Sequence, residues 1–355
     1  MGAAMGVIDR VARRLIESEV PLDRLSLARA ARGLVREEAP LSGDGLVEAV
    51  VDSLIGLGPL EVLLRDPLVS DVLVNGPKDV YIEREGELSL TQVSFADDNA
   101  VVAAVERVIA PLGLRLDRAS PVVNARLADG SRLTAVIPPA AVDHPIVAVR
   151  RFVTAVASIE DLIERGTLTS AQARYLADAV KERRNLVISG GTGTGKTTLL
   201  NVLSSEIPPG ERVVTIEDAA ELSLPGHVVR LEGRPANAEG KGELALRLLL
   251  RSALRLRPDR IVLGEVRGPE ALDMISALNT GHAGSMSTVH ANSPEEAMWR
   301  LETLALSGED RVGELAVRRQ LQAAVDVIVQ LQRRERVRRV TAVAEVSGER
   351  VANVW

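Results

Sequence analysis

Leu186-Val187-Ile188-Ser189-Gly190-Gly191-Thr192-Gly193-Thr194-Gly195-Lys196-Thr197 is an apolar run that dissolves into glycines and closes on Lys-Thr. The helix-forming stretch Thr198-Leu199-Leu200-Asn201-Val202-Leu203 follows it, so the order is strand, glycine-rich loop, helix. Such an order suits a polyanion. Glycines let the backbone wrap a β-phosphate with successive N–H groups turned inward, and the helix presents the positive end of its dipole. Lys196 then reaches the β- and γ-phosphates, and the Thr197 hydroxyl is placed to ligate Mg²⁺. Gly190, Gly191, Thr192, Gly193, Thr194, Gly195, Lys196, Thr197 and Thr198 are therefore the candidate nucleotide contacts. ATP is the expected nucleotide, because guanine is usually read by Asn-Lys-x-Asp and no lysine of this chain follows an asparagine.

Working outward, strand candidates at Arg212–Glu217, Val228–Leu231, Arg260–Glu265 and Ser285–His290 alternate with helices near Lys196, Glu243 and Pro269. That alternation predicts an α/β domain with a mainly parallel sheet covered on both faces, whose ligands bind beyond the carboxyl ends of the strands. Upstream, Val122–Leu127 and Arg132–Ile137 flank Asp129-Gly130, a hairpin signal. With short alternating runs at Asp71–Val74 and Asp79–Ile82, a helix over about Asp97–Leu112 and a strand over Ile146–Phe152, they predict a smaller α/β domain. The first residues read as amphipathic helices, with Val7, Val11 and Leu15 on one stripe and Leu46, Val50, Ser53 and Leu54 on another. The expected division is a helical segment over 1–56, an α/β domain over 57–152, a linker over 153–169 and the phosphate-loop domain over 170–355. Ser170 is the expected cap of a helix running to about Arg184.

With 355 residues and 46% apolar content the chain is long enough for about two cored domains. A net charge of −6 and 2% aromatic content argue against a nucleic-acid binder built on phosphate neutralisation and base stacking. The absence of cysteine removes disulfides and thiolate metal sites and suits a reducing cytoplasm. Asp9, Arg10, Arg13, Arg14 and Glu17 interrupt any leader-like apolar segment, and no run approaches the roughly 20 apolar residues of a membrane span, so any membrane role is expected through a partner.

Two strands end in acids. Arg260-Ile261-Val262-Leu263-Gly264-Glu265 places a carboxylate where phosphate-loop enzymes orient Mg²⁺ or the attacking water, although pairing with Arg267 is the simpler alternative. Thr215-Ile216-Glu217-Asp218-Ala219-Ala220-Glu221 reads equally as a second acidic site or a solvated turn. Thr280-Gly281-His282-Ala283-Gly284-Ser285 and Thr288-Val289-His290 bring together two of the four histidines, read here as γ-phosphate sensors, because zinc would need further ligands that this chain has few residues to supply. Arg247, Arg251 and Arg255 recur at helical spacing, as a solvated face or as an intersubunit or phosphate-facing stripe.

In order, the phosphate loop, Thr215–Leu222, Arg230–Glu232, Arg257–Gly268 and Asn279–Asn292 resemble the type II/IV secretion ATPase superfamily, and within it the CpaF/TadA branch that drives assembly of Flp (tight adherence) pili. Leu57–Glu61, Val74–Pro77 and Asp79–Tyr81 extend the likeness over nearly the whole chain. The resemblance implies a RecA-like ATPase domain behind a PAS-like N-terminal domain, a homo-hexamer, and ATP with Mg²⁺ at a cleft between the domains. It implies Glu265 as the carboxylate that polarises water, Glu217 as the acidic-box glutamate, and His282 and His290 as the His-box pair. Arg132 and Arg150 become the arginines that neutralise γ-phosphate charge, with Arg151 as the adjacent candidate. The implied setting is the cytoplasmic face of the inner membrane, reached through platform proteins of a pilus or secretion machine. A conjugation-like motor for macromolecules or DNA is the alternative.

Overall fold

Alternating buried and exposed positions build strands such as those at 122–126 and 146–150, continuous buried runs build the strands around 186–190 and 286–289, and 3.6-residue stripes build the helices. The structure is a computed structural model that describes all residues except 1, 19, 41, 85, 152–157, 235, 237–240, 309, 311 and 336. Contacts divide the chain into two units, Met1–Val153 and Thr154–Trp355. Phe152, the expected end of one strand and of the first α/β domain, and the first part of the expected linker lie outside the described residues.

The first unit begins with helices α1 (Gly2–Glu17), α2 (Arg24–Glu38) and α3 (Asp44–Ile55). They close on Val11, Leu15, Leu27, Ala31, Val35, Val47, Val50 and Val51. Asp23 caps α2 by accepting from the Ser26 amide. The inward stripe of α3 is Val47, Val50 and Val51, one position off the expected Leu46 and Leu54, which pack at its margin. Asp52 then falls inside, where Arg24 (2.7 Å) and Arg65 (2.6 Å) supply the donors that a buried carboxylate requires.

A short helix α4 (Glu61–Leu64) leads into β1 (Val69–Asn75), β2 (Val80–Arg84), β3 (Glu87–Leu90), α5 (Asp98–Ile109), β4 (Val122–Arg126), β5 (Arg132–Val136) and β6 (Ile146–Arg150). The strands form one antiparallel sheet in the order β3-β2-β1-β6-β5-β4. One face is buried with α5 around Val72, Val74, Val101, Val105, Leu133 and Val149. The other exposes Leu88, Leu90, Val122 and Ile146.

The second unit contains α6 (Ile159–Glu164), α7 (Ser170–Lys181), β7 (Leu186–Gly190), α8 (Lys196–Ser204), β8 (Arg212–Glu217), β9 (His227–Glu232) and α9 (Leu246–Ala253). It continues with β10 (Arg260–Val266), α10 (Glu270–Asn279), β11 (Met286–Val289), α11 (Pro294–Leu306), α12 (Glu314–Ala324), β12 (Val327–Arg334), β13 (Val337–Ser347) and β14 (Arg350–Asn353). The sheet order is β14-β13-β12-β7-β11-β10-β8-β9, parallel from β12 to β9 and antiparallel at β13 and β14. Alternate strand residues face opposite ways: Val187, Ile261 and Leu263 pack with α9 to α12, while Leu186, Ile188 and Val262 pack with α6 to α8.

Two expectations fail locally. The segment read as connection contains α6, held by a reciprocal capping box between Ser158 and Asp161. The cap of α7 is Thr169 and not Ser170, because Gln172 returns a side-chain oxygen to the Thr169 amide and completes the same device one residue earlier.

Candidate active site

The phosphate loop sits between β7 and α8, at the carboxyl edge of the parallel sheet. Gly195 at the start of α8 has φ 96°, a left-handed conformation that L side chains rarely adopt, and from it the chain enters the helix with its first amides unpaired. Lys196 is 8% exposed. Its ammonium donates to the carbonyls of Gly190 (3.1 Å) and Gly191 (2.9 Å). Burial pushes its pKa down, against the opposing charge of Glu265. Thr194 closes the loop by donating to the Gly191 carbonyl at 2.9 Å.

Because β11, β10 and β8 follow β7 in the sheet, residues at their carboxyl ends come to one side of the loop. His290, immediately after β11, lies with Nδ1 3.4 Å from Lys196 Nζ and Nε2 2.8 Å from a Glu265 carboxylate oxygen. An ammonium only donates, so Nδ1 accepts, and Nε2 carries the proton given to Glu265. Burial, and next the Lys196 charge, hold the imidazole below its ordinary pKa, although Glu265 pulls the other way, and the ring is neutral near pH 7. Arg267 lies 3.3 Å from Glu265 and also pairs with Asp218. The simpler partner foreseen for Glu265 is thus present alongside the His290 contact.

Glu217 ends β8 and is 3% exposed. One oxygen accepts from the amides of Glu221 (2.9 Å) and Leu222 (3.0 Å), which folds the acidic stretch back on itself. The other has no hydrogen-bond partner among the described residues. Burial raises the Glu217 pKa, with the two amides opposing. Its Cγ would lie 2.9 Å from a Cβ placed on Gly264, the residue before Glu265, so the Glu217 side chain occupies space on β10 that only a glycine leaves open.

His282 is not brought to this group. It precedes β11, at the amino edge of the sheet, and the four-residue strand between the two histidines rises about 13 Å. The Gly284 and Ser285 amides donate to Asn185 (2.8 and 3.2 Å) just before β7, and the His282 ring contacts the Ala277 carbonyl at 3.2 Å. Gly284 serves packing: a Cβ there would lie 2.7 Å from the buried Arg260 guanidinium. The reading that brought His282 together with His290 is corrected at this residue.

The arginine stripe is also corrected. Helix α9 stops at Ala253, short of Arg255, and Arg247 and Arg251 each contact Asp273 of α10 at 2.6 Å. Arg132 and Arg150 belong to the first unit, directly opposite each other on β5 and β6. Arg126 on β4 faces Arg132, and Asp71 on β1 faces Arg150, so one row crosses four strands. Arg151 turns instead to the backbone, where its guanidinium donates to the carbonyls of Asp66 and Val69.

Two supports were missed by sequence reasoning. Asn201 on α8 accepts from the Ser223 amide at 2.8 Å and ties the loop helix to the acidic stretch. Gln330 accepts from Ser189 at 2.5 Å and donates to the Ala291 carbonyl at 3.3 Å beneath the loop. A single amide side chain inside the apolar run Val327–Leu331 was the available signal for the second.

Residues 53–351 match the family described as type II/IV secretion system protein. A Mycobacterium tuberculosis protein named as a conjugal transfer protein is 41% identical over 315 residues, 85% of this chain and 89% of its own. The type IV secretion system protein VirB11 of Brucella suis is 32% identical over 329 residues, 84% of this chain and 88% of its own. Among solved structures, the pilus retraction motor PilT shares the fold at a TM-score of 0.58 and 18% identity, covering 77% of each chain. The chain belongs to the type II/IV secretion system protein family.

Proposed function

We propose that this protein is an ATP-hydrolysing motor of a membrane-bound machine that assembles or exports macromolecules. The observation that carries the reading is the contact series Lys196–His290–Glu265 at the mouth of the phosphate loop. In it a cation for the phosphates stands one imidazole away from a carboxylate able to orient water, two of the groups that γ-phosphate displacement uses.

In this reading the loop amides and Lys196 hold the β- and γ-phosphates, and Glu265 orients the attacking water. His290 reports the γ-phosphate, exchanging its bond to Glu265 for one to phosphate oxygen. Glu217, buried against Gly264 on the neighbouring strand with one oxygen unpartnered, is the second acidic group of the site. The site fits Mg²⁺, which needs few protein ligands when phosphates and water supply the rest: the Thr197 hydroxyl would hold it, with Glu265 nearby. When bound, the ion neutralises charge on the β- and γ-oxygens. Arg132 and Arg150 are proposed to add charge at the γ-phosphate and to complete the site in a homo-hexamer at the cytoplasmic membrane face.

Among the described residues no helix is long and apolar enough to cross a membrane, which suits attachment through platform proteins. The CpaF/TadA likeness supports Flp pilus assembly as the work done. A second reading, conjugation-like transfer, is favoured by the name of the mycobacterial relative, a conjugal transfer protein. Specific ATPase activity of the purified chain, measured against its own concentration with Mg²⁺ alone, tests the motor. A steep rise that levels off is expected of a site completed by assembly. Constant or absent activity rejects it. Deletion in the host, scored for surface pili and for DNA transfer, separates the two cargoes.

A further inference from the structure

The β12–β13 hairpin has no part in the proposal above, yet it stands over the phosphate loop. β12 runs parallel to β7, paired from Val327 opposite Leu186 to Leu331 opposite Gly190. It then continues through Gln332, Arg333 and Arg334, beyond the point where β7 becomes loop. β13 returns with Val337 opposite Arg334, Arg338 opposite Arg333 and Arg339 opposite Gln332. A Cβ placed on Gly193 would lie 3.7 Å from an Arg333 guanidinium nitrogen, and one on Gly195 would lie 3.4 Å from Arg338 Cδ. Both arginines are exposed and reach the same loop.

Like charges directly opposite each other weaken a strand pair, so Arg333 facing Arg338 is unfavourable for the hairpin on its own account. The chain as a whole is acidic, at −6, which makes the local concentration of guanidinium the more selective. Position along the sheet says which part of a nucleotide the pair meets. Lys196, His290 and Glu265 gather toward β11 and β10, whereas β12 flanks β7 on the opposite side. A triphosphate whose γ end lies by His290 directs its α-phosphate and nucleoside toward β12.

We propose that Arg333 and Arg338 form the nucleoside-side half of the nucleotide site, gripping the α-phosphate and the adjoining base. The inference rests on the nucleotide reading of the loop and adds the element that holds the other end of the ligand. A guanidinium suits both targets, since its fork pairs with phosphate oxygens and its plane stacks on a purine. The α-phosphate carries the same charge before and during γ-phosphate displacement. The grip therefore strengthens binding without selecting the transition state.

Calorimetric titration of Mg·ADP, with ATPase kinetics alongside, tests it on Arg333→Ala/Arg338→Ala and Arg333→Lys/Arg338→Lys. The alanine pair is expected to weaken ADP binding and raise KM for ATP by about tenfold or more, the scale of one charge-assisted hydrogen bond, with the rise in KM outweighing any fall in kcat. The lysine pair is expected to recover part of the affinity, because charge returns without the planar fork. Wild-type ADP binding with unchanged affinity in the alanine pair overturns this inference alone. So does a fall confined to kcat. A wild-type chain that binds neither ADP nor ATP overturns the nucleotide reading itself, and this inference with it.

Discussion

Glu265 and Glu217 sit on adjacent strands and take opposite characters from their surroundings. Glu265 is partly exposed and meets His290 and Arg267. Replacing it with Gln is expected to preserve nucleotide binding and to lower turnover by about 10² or more, the scale of a general base. Near-normal turnover in that variant would remove Glu265 from the water-orienting role. Glu217 is buried, and its pKa lies above the ordinary 4.5. A carboxyl raised in this way contributes its stability below the unfolded-state pKa and loses it as pH rises through the folded-state value. Glu217→Gln is therefore expected to melt above the wild type near about pH 8, by roughly 2–4 °C per ~1 kcal/mol of relieved burial, with the gap closing near about pH 4. A gap that is constant with pH, or reversed, would show that the Glu217 charge is not what burial penalises.

At the scale of elements, Arg150 stands in the row Arg126–Arg132–Arg150–Asp71, whereas Arg151 holds two backbone carbonyls. Arg150→Ala is expected to assemble normally and hydrolyse ATP poorly, whereas Arg151→Ala, which releases two backbone carbonyls, is expected to lower the melting temperature with less effect on turnover. Normal hydrolysis in Arg150→Ala would leave the role to Arg132. Periodicity explains which elements could be read in advance. The buried strands β7, β8 and β10 are apolar runs bounded by charge or glycine, so their ends, with Lys196, Glu217 and Glu265, were legible. His282 was read with His290 although a strand candidate, Ser285–His290, lay between them, because composition does not show that Asn185 anchors the His282 loop at the far edge. The β12–β13 hairpin escaped because Arg333–Arg339 has the composition of a solvated surface. Its meaning lies in a register with β7 that composition does not record.

For the whole molecule, contacts divide the chain into two units with separate cores, and the short α6 and β3 carried no pattern long enough to be read in advance. Arginine supplies nearly all the surface cations, and lysine occurs only at Lys78, Lys181, Lys196 and Lys241. Lys78, Lys181 and Lys241 are exposed, and only Lys196 is buried, with its pKa pushed down. To an amine-directed acylating reagent the protein thus presents a sparse map. Three lysines are exposed, and the fourth is a shielded amine whose pKa burial pushes down. Mass spectrometry of briefly acetylated protein should find the modification of Lys196 suppressed by ADP while Lys78, Lys181 and Lys241 react unchanged. Equal labelling of Lys196 with and without nucleotide would mean that the loop does not close around a ligand. The scarcity of lysine turns this chain into its own footprinting probe.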